Sequence, residues 1–488
     1  MKEHGLFRLV TGLALMFAAT FALCAATHLD TVQQAAFPEI FVVNSTGDGA
    51  DAFPGDGQCE TAVGNGVCTL RAAIEEANAH AGGDGISFSI PTTDPGYSNG
   101  IWTITPNGLS VSDSVNITGP GADKLIIWKV TSQQAPILNV TTSGTVNISS
   151  LTLGSLFGQE PSSGSGIQNS NSGTVNVTSC RFINSLVSSS STTTPAKGGG
   201  IYNNSGTVHV TSSTFSFNRA DSPNTDQSRG AGLYNNTGTV SVVNSTFNNN
   251  SADTGGGIFN ENRVVSVTGC TFHDNGAAFW GGGITSFGGT VNITNSTFYA
   301  NVAYSRQTSG IFGVGGGIAI YNCTLNLTNS TVTANFSGAG GSGVSNGLGS
   351  DAGVVNVKST IIASNYGGVS IFAAAPDVSG AFNSSGFNLI GKKDGSTGFT
   401  AATDKKGTIV SPLNPKLDVK GLRDNGGPTQ TVALIAGSPA IDKGTSIGLT
   451  GTLTTDQRGF ARTVNNSGIP NATGGDGTDI GAYEFGAH

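Results

Sequence analysis

A short motif occurs seven times in the middle of this 488-residue chain, and it constrains the fold more than any other feature. Each copy consists of a glycine, a small residue, a second glycine and an aliphatic residue, as in Gly198-Gly199-Gly200-Ile201. The copies begin at Gly164, Gly198, Gly230, Gly255, Gly281, Gly315 and Gly341. Their spacing of 25 to 34 residues indicates a unit of about 25 residues with added polar loops. Such a period is typical of a solenoid built from stacked turns.

Further residues recur at fixed offsets within each unit. After Ile201 come Val208 and Val210, then Phe215 and Asn218, and the following units repeat this order. Alternating apolar and polar residues indicate strands with one buried face. About three short strands per unit cannot bury their apolar sides alone, so stacking in parallel at about 4.8 Å per turn is required. A propeller blade of four antiparallel strands needs a longer unit.

The pattern therefore predicts an all-β protein with a single-stranded, right-handed parallel β-helix of the pectin-lyase-like kind. We expect about a dozen coils over residues 86–415, with the right hand that parallel connections favour. Asparagine amides repeated at one corner would stack and satisfy the backbone of neighbouring turns. The predicted ladder consists of Asn218, Asn250, Asn275, Asn301 and Asn335.

Charge argues against a nucleic-acid partner. The chain has 22 basic and 30 acidic residues, a net charge of −8, and no cluster of Lys and Arg that could follow a phosphate backbone. The six histidines are scattered without metal-ligand spacing, so we expect no metal centre built on His or Cys and no cofactor.

The N-terminus has the features of a signal peptide over residues 1–26. Lys2 and Arg8 precede an apolar stretch, and Cys24-Ala25-Ala26 offers small residues for cleavage. A membrane anchor is the alternative, because the stretch is near the lower length limit for a span. Lipidation at Cys24 is a further alternative that the bulky Leu23 disfavours. The sequence thus predicts an exported protein without a transmembrane segment after cleavage.

Five cysteines remain after that cleavage. Cys59 and Cys68 enclose a short Gly-rich loop, and in an exported protein we expect them to form a disulfide. Cys180, Cys270 and Cys323 lie in different repeats, where we expect buried small side chains rather than ligands or nucleophiles.

The repeats and the region before them resemble known families. The Gly-Gly-Gly-Ile and Phe-x-x-Asn marks, which extend from Gly164 to Asn365, resemble the repeats of polymorphic outer membrane proteins. The segment CTLRAAIEEAN, from Cys68 to Asn78, resembles the CSLREAI-type N-terminal domain and departs from it at two positions. The resemblance implies a short helix beside a disulfide, so residues 37–85 are interpreted as a cap that closes the open end of the β-helix. The residues predicted on one helical face are Leu70, Ala73, Ile74 and Ala77.

The C-terminal region, residues 416–488, resembles the choice-of-anchor Q domain. The motifs are DNGGPTQT from Asp424, GSPAID from Gly437, DQRG from Asp456 and DIGAYE from Asp479. Together the resemblances imply an exported protein that is secreted or associated with the cell surface or outer membrane, and they imply no reaction.

Candidate catalytic and metal-binding residues are few. Asp221 and Asp253 occupy equivalent positions in adjacent units, so their carboxylates are expected about 5 Å apart, as in a retaining glycosidase. Capping a turn is the ordinary alternative for each. Two acidic clusters could hold Ca²⁺, although neither has the spacing of an EF-hand loop. They consist of Asp48, Asp51 and Asp56, and of Asp476 and Asp479.

Aromatic residues supply the candidate ligand-binding surface. Tyr202, Tyr234 and Phe259 each follow an inward aliphatic residue, so they point outward and would stack along one flank. Such rings suit sugars or a partner protein, and packing under the inserted loops is the alternative. We expect a monomeric, non-catalytic, adhesin-like protein that binds a polysaccharide or a cell-surface or matrix component. A polysaccharide lyase or glycoside hydrolase, and a structural envelope rod, are the alternatives.

Overall fold

Each repeat forms one turn of a right-handed parallel β-helix, which confirms the predicted fold class. The computed structural model describes residues 39–129, 135–155, 163–191, 193–222, 227–304, 313–347, 351–368 and 375–488. The predicted signal segment 1–26 and the first two residues of the predicted cap lie outside the described residues. Residues 40–488 form one compact unit.

Four sheets run along the β-helix. Sheet 1 contains Ile40–Val43, Asp84–Phe88, Val115–Thr118, Thr145–Ser149, Thr174–Thr178, Thr207–Thr211, Thr239–Val243, Val264–Thr268, Thr290–Thr294, Thr324–Thr328, Val354–Lys358 and Asn383–Ser384. Sheet 2 contains Tyr97–Ser98, Ile101–Ile104, Leu125–Lys129, Thr152–Ser155, Arg181–Ile183, Thr214–Ser216, Thr246–Asn248, Thr271–His273, Thr297–Tyr299, Thr331–Thr333, Ile361–Ile362, Leu389–Ile390 and Lys405–Lys406.

The other two sheets complete each turn. Sheet 3 contains Leu109–Val111, Leu138–Val140, Ile167–Asn169, Ile201–Asn203, Leu233–Asn235, Ile258–Asn260, Ile284–Phe287, Ile318–Tyr321, Val344–Asn346, Val378–Ala381 and Ser396–Thr397. Sheet 4 contains Leu186–Ser188, Arg219–Asp221, Ser251–Thr254, Gly276–Trp280, Val302–Ala303, Phe336–Ser337 and Tyr366–Gly367. There are about nine turns rather than the expected dozen. The additional strands at both ends of the sheets belong to turns that lack one or more faces.

The core consists of columns of similar apolar side chains stacked from turn to turn. The aliphatic residue of each repeat pairs with that of the next, as Ile201 does with Leu233. Phenylalanine rings on sheet 2 stack with centroids 4.4–4.8 Å apart and planes within 7° of parallel. Their column consists of Phe182, Phe215, Phe247, Phe272 and Phe298. Offset stacking of this kind adds to the gain from burying apolar area.

The two glycines of the repeat motif have different structural roles. The first has φ between 57° and 68° in all seven copies, a left-handed conformation that glycine adopts without strain. The last approaches the next turn closely: a Cβ on Gly257 would lie 2.5 Å from the carbonyl oxygen of Gly283 and 3.0 Å from the Phe272 ring. The motif therefore requires glycine at both positions and tolerates Ser or Ala only between them.

Buried asparagines form a ladder at one corner of the β-helix. Each side-chain amide donates to the Oδ1 of the asparagine in the next turn at 2.8–2.9 Å, and to a backbone carbonyl. The ladder consists of Asn218, Asn250, Asn275, Asn301, Asn335 and Asn365, and it ends at Asp377. A second buried ladder, which the sequence reasoning missed, runs through sheet 3 from Asn169 to Asn260. Both ladders satisfy polar groups that the core would otherwise leave unpaired.

A helix closes the N-terminal end. It spans Leu70–Ala79, and the hydroxyl of Thr69 caps it by accepting from the amide of Ala72. Its predicted apolar face is buried against the first strands of sheets 1 and 3. Arg71 on the same helix forms a bidentate ion pair with Asp48.

The C-terminal region folds back over the outer side of sheet 2. Its strand pairing is limited to isolated bridges, such as that between Arg423 and Thr431. Gln457 donates to Thr271 and accepts from Thr297, while the fully buried Arg462 donates to Asn295. Apolar residues of this region pack on the outward side chains of later turns to form a second core. This second core consists of Ile361, Ala363, Leu389, Leu434, Ala440, Ile441 and Ile480.

Candidate functional site

A row of aromatic rings lies on the outer side of sheet 3. Tyr202, Tyr234 and Phe259 are paired in register on successive strands, and their rings stack with centroids 5.3 and 5.4 Å apart. The period-two alternation places them outward because the preceding aliphatic residues fill the core.

Charged side chains cover two of these three rings. Tyr234 and Phe259 have no exposed surface, whereas Tyr202 is partly exposed. The Nζ of Lys197 lies 4.8 Å from the centroid of the Tyr234 ring, and the Cζ of Arg229 lies 5.0 Å from that of Phe259. The part of the row formed by Tyr234 and Phe259 is therefore packed internally. The predicted ligand-binding role of the three rings stays a prediction.

Glu261 holds these covering cations in place. It forms an ion pair with Arg229 at 3.1 Å, lies 4.0 Å from Lys197 and accepts a hydrogen bond from the Tyr234 hydroxyl. The Glu261 carboxylate thus offsets part of the positive charge that covers Tyr234 and Phe259.

The row continues into a cluster of three partly exposed rings. Trp280 ends a strand of sheet 4, whereas Phe287 and Tyr321 end consecutive strands of sheet 3. The three centroids are 5.0–5.4 Å from one another, and their planes are inclined by 55° to 89°. The rings of Phe287 and Phe259 meet edge to face with their centroids 5.2 Å apart, so the cluster is continuous with the row of Tyr202, Tyr234 and Phe259.

These rings form one wall of an open cleft of about 560 Å³, which we call the aromatic cleft. This volume lies within the range of about 300–1,000 Å³ that ligand pockets occupy. Its polar lining consists of Asn262, Asn322 and Asp351, with Gly288 between them. A Cβ on Gly288 would lie 2.7 Å from the Oδ1 of Asn262, and its φ of 83° also favours glycine. Glycine therefore keeps this part of the lining open.

The described lining of the aromatic cleft contains one charged residue, Asp351. Burial raises the pKa of Tyr321 above its usual value, and the carboxylate of Asp351 raises it further. The described lining residues include no Lys, Arg or His. The described lining therefore consists of ring faces, two amides and a carboxylate.

Sequence reasoning missed the aromatic cleft because its rings occupy another offset. Tyr234 and Phe259 follow the inward aliphatic residue directly, whereas Phe287 and Tyr321 lie three positions after Ile284 and Ile318. The two later strands have four residues rather than three, which brings an additional outward position into the sheet. An aromatic residue at the same offset in two adjacent repeats was the signal that could have revealed it.

The two candidate catalytic carboxylates line a separate, smaller pocket of about 220 Å³. Asp221 forms an ion pair with Arg219 at 3.1 Å. Asp253 is buried and accepts hydrogen bonds from the amide and hydroxyl of Ser228. Burial raises the pKa of Asp253, which is the direction that a general acid requires. These contacts also fix the chain around Ser228, so a structural role accounts for them equally.

The predicted Ca²⁺ clusters make protein contacts. Asp48 binds Arg71, while the other two carboxylates of its cluster accept backbone amides, Asp51 from Phe53 and Asp56 from Gln58. Asp476 and Asp479 likewise accept backbone amides. Within the described ranges, no group of three or more His, Cys, Asp or Glu residues has an arrangement suited to a metal ion.

The cysteines fall into two groups. Cys59 and Cys68 form a disulfide beside the N-terminal helix. Cys180, Cys270 and Cys323 are buried thiols whose pKa values burial raises to about 11, 12 and 11. Such thiols react slowly, because the thiolate is the nucleophile.

No helix in the part of the chain that the structure describes is long and apolar enough to cross a lipid bilayer. The chain matches no family model, no curated protein and no solved structure.

Proposed function

We propose that this protein binds a polysaccharide through the aromatic cleft and does so without catalysis. The observation that carries the proposal is the cluster formed by Trp280, Phe287 and Tyr321 beside amide and carboxylate groups. Ring faces pack on the C–H surface of a sugar, and a few polar groups fix its orientation. The regular β-helix supplies a rigid support on which these groups are already positioned.

An exported location belongs to the same proposal. The signal-like residues 1–26 favour it, and a disulfide such as Cys59–Cys68 persists in oxidising compartments. The resemblances to polymorphic outer membrane protein repeats and to the CSLREAI-type and choice-of-anchor Q domains favour a secreted or surface-associated protein. Fractionation of cells that express the full chain, with a free-thiol assay on the recovered protein, tests the location.

Isothermal titration calorimetry against a panel of soluble oligosaccharides tests the binding. We expect at least one oligosaccharide to bind, and we expect Trp280→Ala to weaken binding about tenfold, the loss of roughly 1.4 kcal/mol that a central stacking ring supplies. Tyr304→Ala is the matched control, because this exposed ring lies at the pocket of Asp221 and Asp253. Binding that depends on Tyr304 and not on Trp280 would place the site elsewhere.

A glycoside hydrolase is the second candidate function. Asp221 and Asp253 line one pocket, and the raised pKa of Asp253 suits an acid. Incubation with a polysaccharide panel should release reducing ends if this function is present, and Asp253→Asn should abolish the release. No release from any polymer would reject this candidate without affecting the binding proposal.

A further inference from the structure

We infer that the side chains of Lys392 and Asn365 join in an intramolecular isopeptide bond, with the carboxylate of Asp377 transferring the protons. The bond is a covalent link between two turns at the C-terminal end of the β-helix. This inference does not depend on the proposed function, because it concerns buried groups outside the aromatic cleft.

The three side chains lie where the first asparagine ladder ends. Asn365 is the last asparagine of this ladder and donates to Asp377. Lys392 follows a strand that pairs with Ile361–Ile362, so it belongs to the next turn. The exposed fractions of Asn365, Asp377 and Lys392 are 1%, 0% and 9%. Because a buried charge is costly, a lysine and an aspartate at this depth point to a specific chemical role.

The amine of Lys392 already contacts the residue that it attacks. Its Nζ donates to the backbone carbonyl oxygen of Asn365 at 2.5 Å. The side-chain amide carbon belongs to the same residue. The flexible lysine stem can bring the Nζ to the separation of about 3–3.5 Å at which reacting atoms meet. A lysine amine that has lost its proton is a nucleophile toward a carbonyl carbon.

Two donors hold the side-chain amide oxygen of Asn365. The backbone amide and the side-chain amide of Asn335 donate to this Oδ1 at 3.0 and 2.9 Å. Attack by an amine places negative charge on the oxygen, and donors at about 2.7–3.1 Å stabilise such a charge. The ladder therefore polarises the carbonyl group that Lys392 attacks.

Asp377 is placed to transfer the protons. Its Oδ1 accepts from the side-chain amide of Asn365 at 2.9 Å, so it contacts the nitrogen that leaves. Its Oδ2 has no hydrogen-bond partner within the described ranges, and a Cβ on Gly391 would lie 2.6 Å from it. Burial raises the pKa of Asp377 to about 6, although the positive charge of Lys392 lowers it. A carboxyl group with such a pKa both accepts and donates protons near neutral pH.

The reaction exchanges one amide for another. The Asp377 carboxylate accepts a proton from the Lys392 ammonium, and the free amine attacks the side-chain carbon of Asn365. The Asp377 carboxyl gives its proton to the leaving nitrogen and takes one from the attacking nitrogen as the C–N bond breaks. Ammonia departs with the remaining proton as ammonium, which regenerates the carboxylate. A neutral amide replaces the buried lysine ammonium, so a cost of burial is removed.

A second pair at the same end of the β-helix has an amide and a carboxylate without the lysine. Asn388 donates to the Oδ1 of Asp404 at 3.0 Å, and its own Oδ1 accepts from the backbone amide of Thr360. Lys406, shortly after Asp404 in the sequence, donates instead to the carbonyl oxygen of Phe399. This pair is an internal control and should stay unlinked.

The mass of the full chain provides the first test. With its disulfide reduced and its N-terminus sequenced, the protein should be lighter than its sequence predicts by one ammonia. Tryptic digestion should yield a branched peptide that joins Asn365 to Lys392. An unchanged mass would overturn the inference. A loss of ammonia that persists in Lys392→Arg would also overturn it, because a succinimide formed by an asparagine alone has the same mass.

Two carboxylate variants test the role of Asp377. Asp377→Asn should form the link at least about 100-fold more slowly, the contribution of a positioned proton-transfer group. Asp404→Asn, which removes the carboxylate beside Asn388, is the matched control and should form the link at the unchanged rate. Mass spectrometry after cell-free synthesis follows the linked fraction, and circular dichroism establishes that each variant has folded. Equal rates in the two variants would overturn the role of Asp377.

Discussion

The asparagine ladder gives the most direct quantitative prediction, through the substitution Asn275→Ala. The Oδ1 of Asn275 accepts from the backbone amide of Asn250 at 3.1 Å and from its side-chain amide at 2.8 Å. The Nδ2 of Asn275 donates to the carbonyl of Phe247 at 2.8 Å and to the Oδ1 of Asn301 at 2.9 Å. The substitution removes all four hydrogen bonds and leaves the backbone bond of residue 275 in place.

The expected loss is about 4 kcal/mol of the free energy of unfolding. A hydrogen bond within a protein contributes about 1 kcal/mol net, and a buried group left without a partner costs about 1–3 kcal/mol. Asn275 has no exposed surface, so water cannot replace its contacts without entering the core. Few single substitutions have an effect of this size.

Equilibrium unfolding in urea, followed by circular dichroism, measures the effect. Asn292→Ala is the matched control, because the Oδ1 of this outward asparagine on sheet 1 accepts one hydrogen bond, from Asn326, at the partly exposed surface. We expect the control to cost less than about 1 kcal/mol. Amide hydrogen exchange should also show lost protection at Asn250. Equal losses in the two variants, or a loss below about 1 kcal/mol for Asn275→Ala, would refute the reasoning.

Three further predictions concern the cap, the end of the ladder and the repeat motif. Reduction of the Cys59–Cys68 disulfide, whose cysteines are separated by 9 residues, should lower the free energy of unfolding by about 2.5 kcal/mol. The Tm should therefore be lower with reductant, and an unchanged Tm would contradict this prediction. Burial raises the pKa of Asp377 to about 6 from 3.8, so its stabilising contribution is complete below pH 3.8 and is lost as the pH rises through 6. Asp377→Asn should flatten this dependence in unfolding measured from pH 4 to 7, and an unchanged slope would reject Asp377 as its source. Gly257→Ala would place a Cβ 2.5 Å from a carbonyl oxygen, so it should lower the stability measured by thermal unfolding by at least about 2 kcal/mol. Gly276→Ala, whose Cβ would have its nearest atom at 3.9 Å, should lower it far less. Similar losses in the two variants would refute the steric argument.

The parts of the fold that depend on neighbouring repeats could be predicted from the sequence. Ile201 and Phe215 recur at constant offsets because each contacts its own equivalent in the next turn. The periodicity of the sequence therefore predicts which side chains pack together. The number of turns was overestimated because the apolar alternation continues into terminal segments that form incomplete turns.

Contacts between distant parts of the chain could not be predicted in this way. Gln457 binds Thr271 and Thr297 across 160 to 186 residues, and no periodic signal relates these positions. The aromatic cleft was missed for a related reason, since Trp280 comes from sheet 4 and Tyr321 from sheet 3. The centroids of these two rings lie 5.3 Å apart because sheets 3 and 4 meet at a corner of the β-helix.

The position of the C-terminal region has a consequence for the order in which the protein is assembled. A chain synthesised from its N-terminus can add each turn to the preceding one as soon as that turn is complete. The outer side of sheet 2 stays uncovered for longer, because Gln457 and Arg462 are synthesised long after their partners Thr271 and Asn295. Until the C-terminal region covers them, Ile361 and Leu389 stay exposed, and apolar surface that is exposed during folding favours association with other chains.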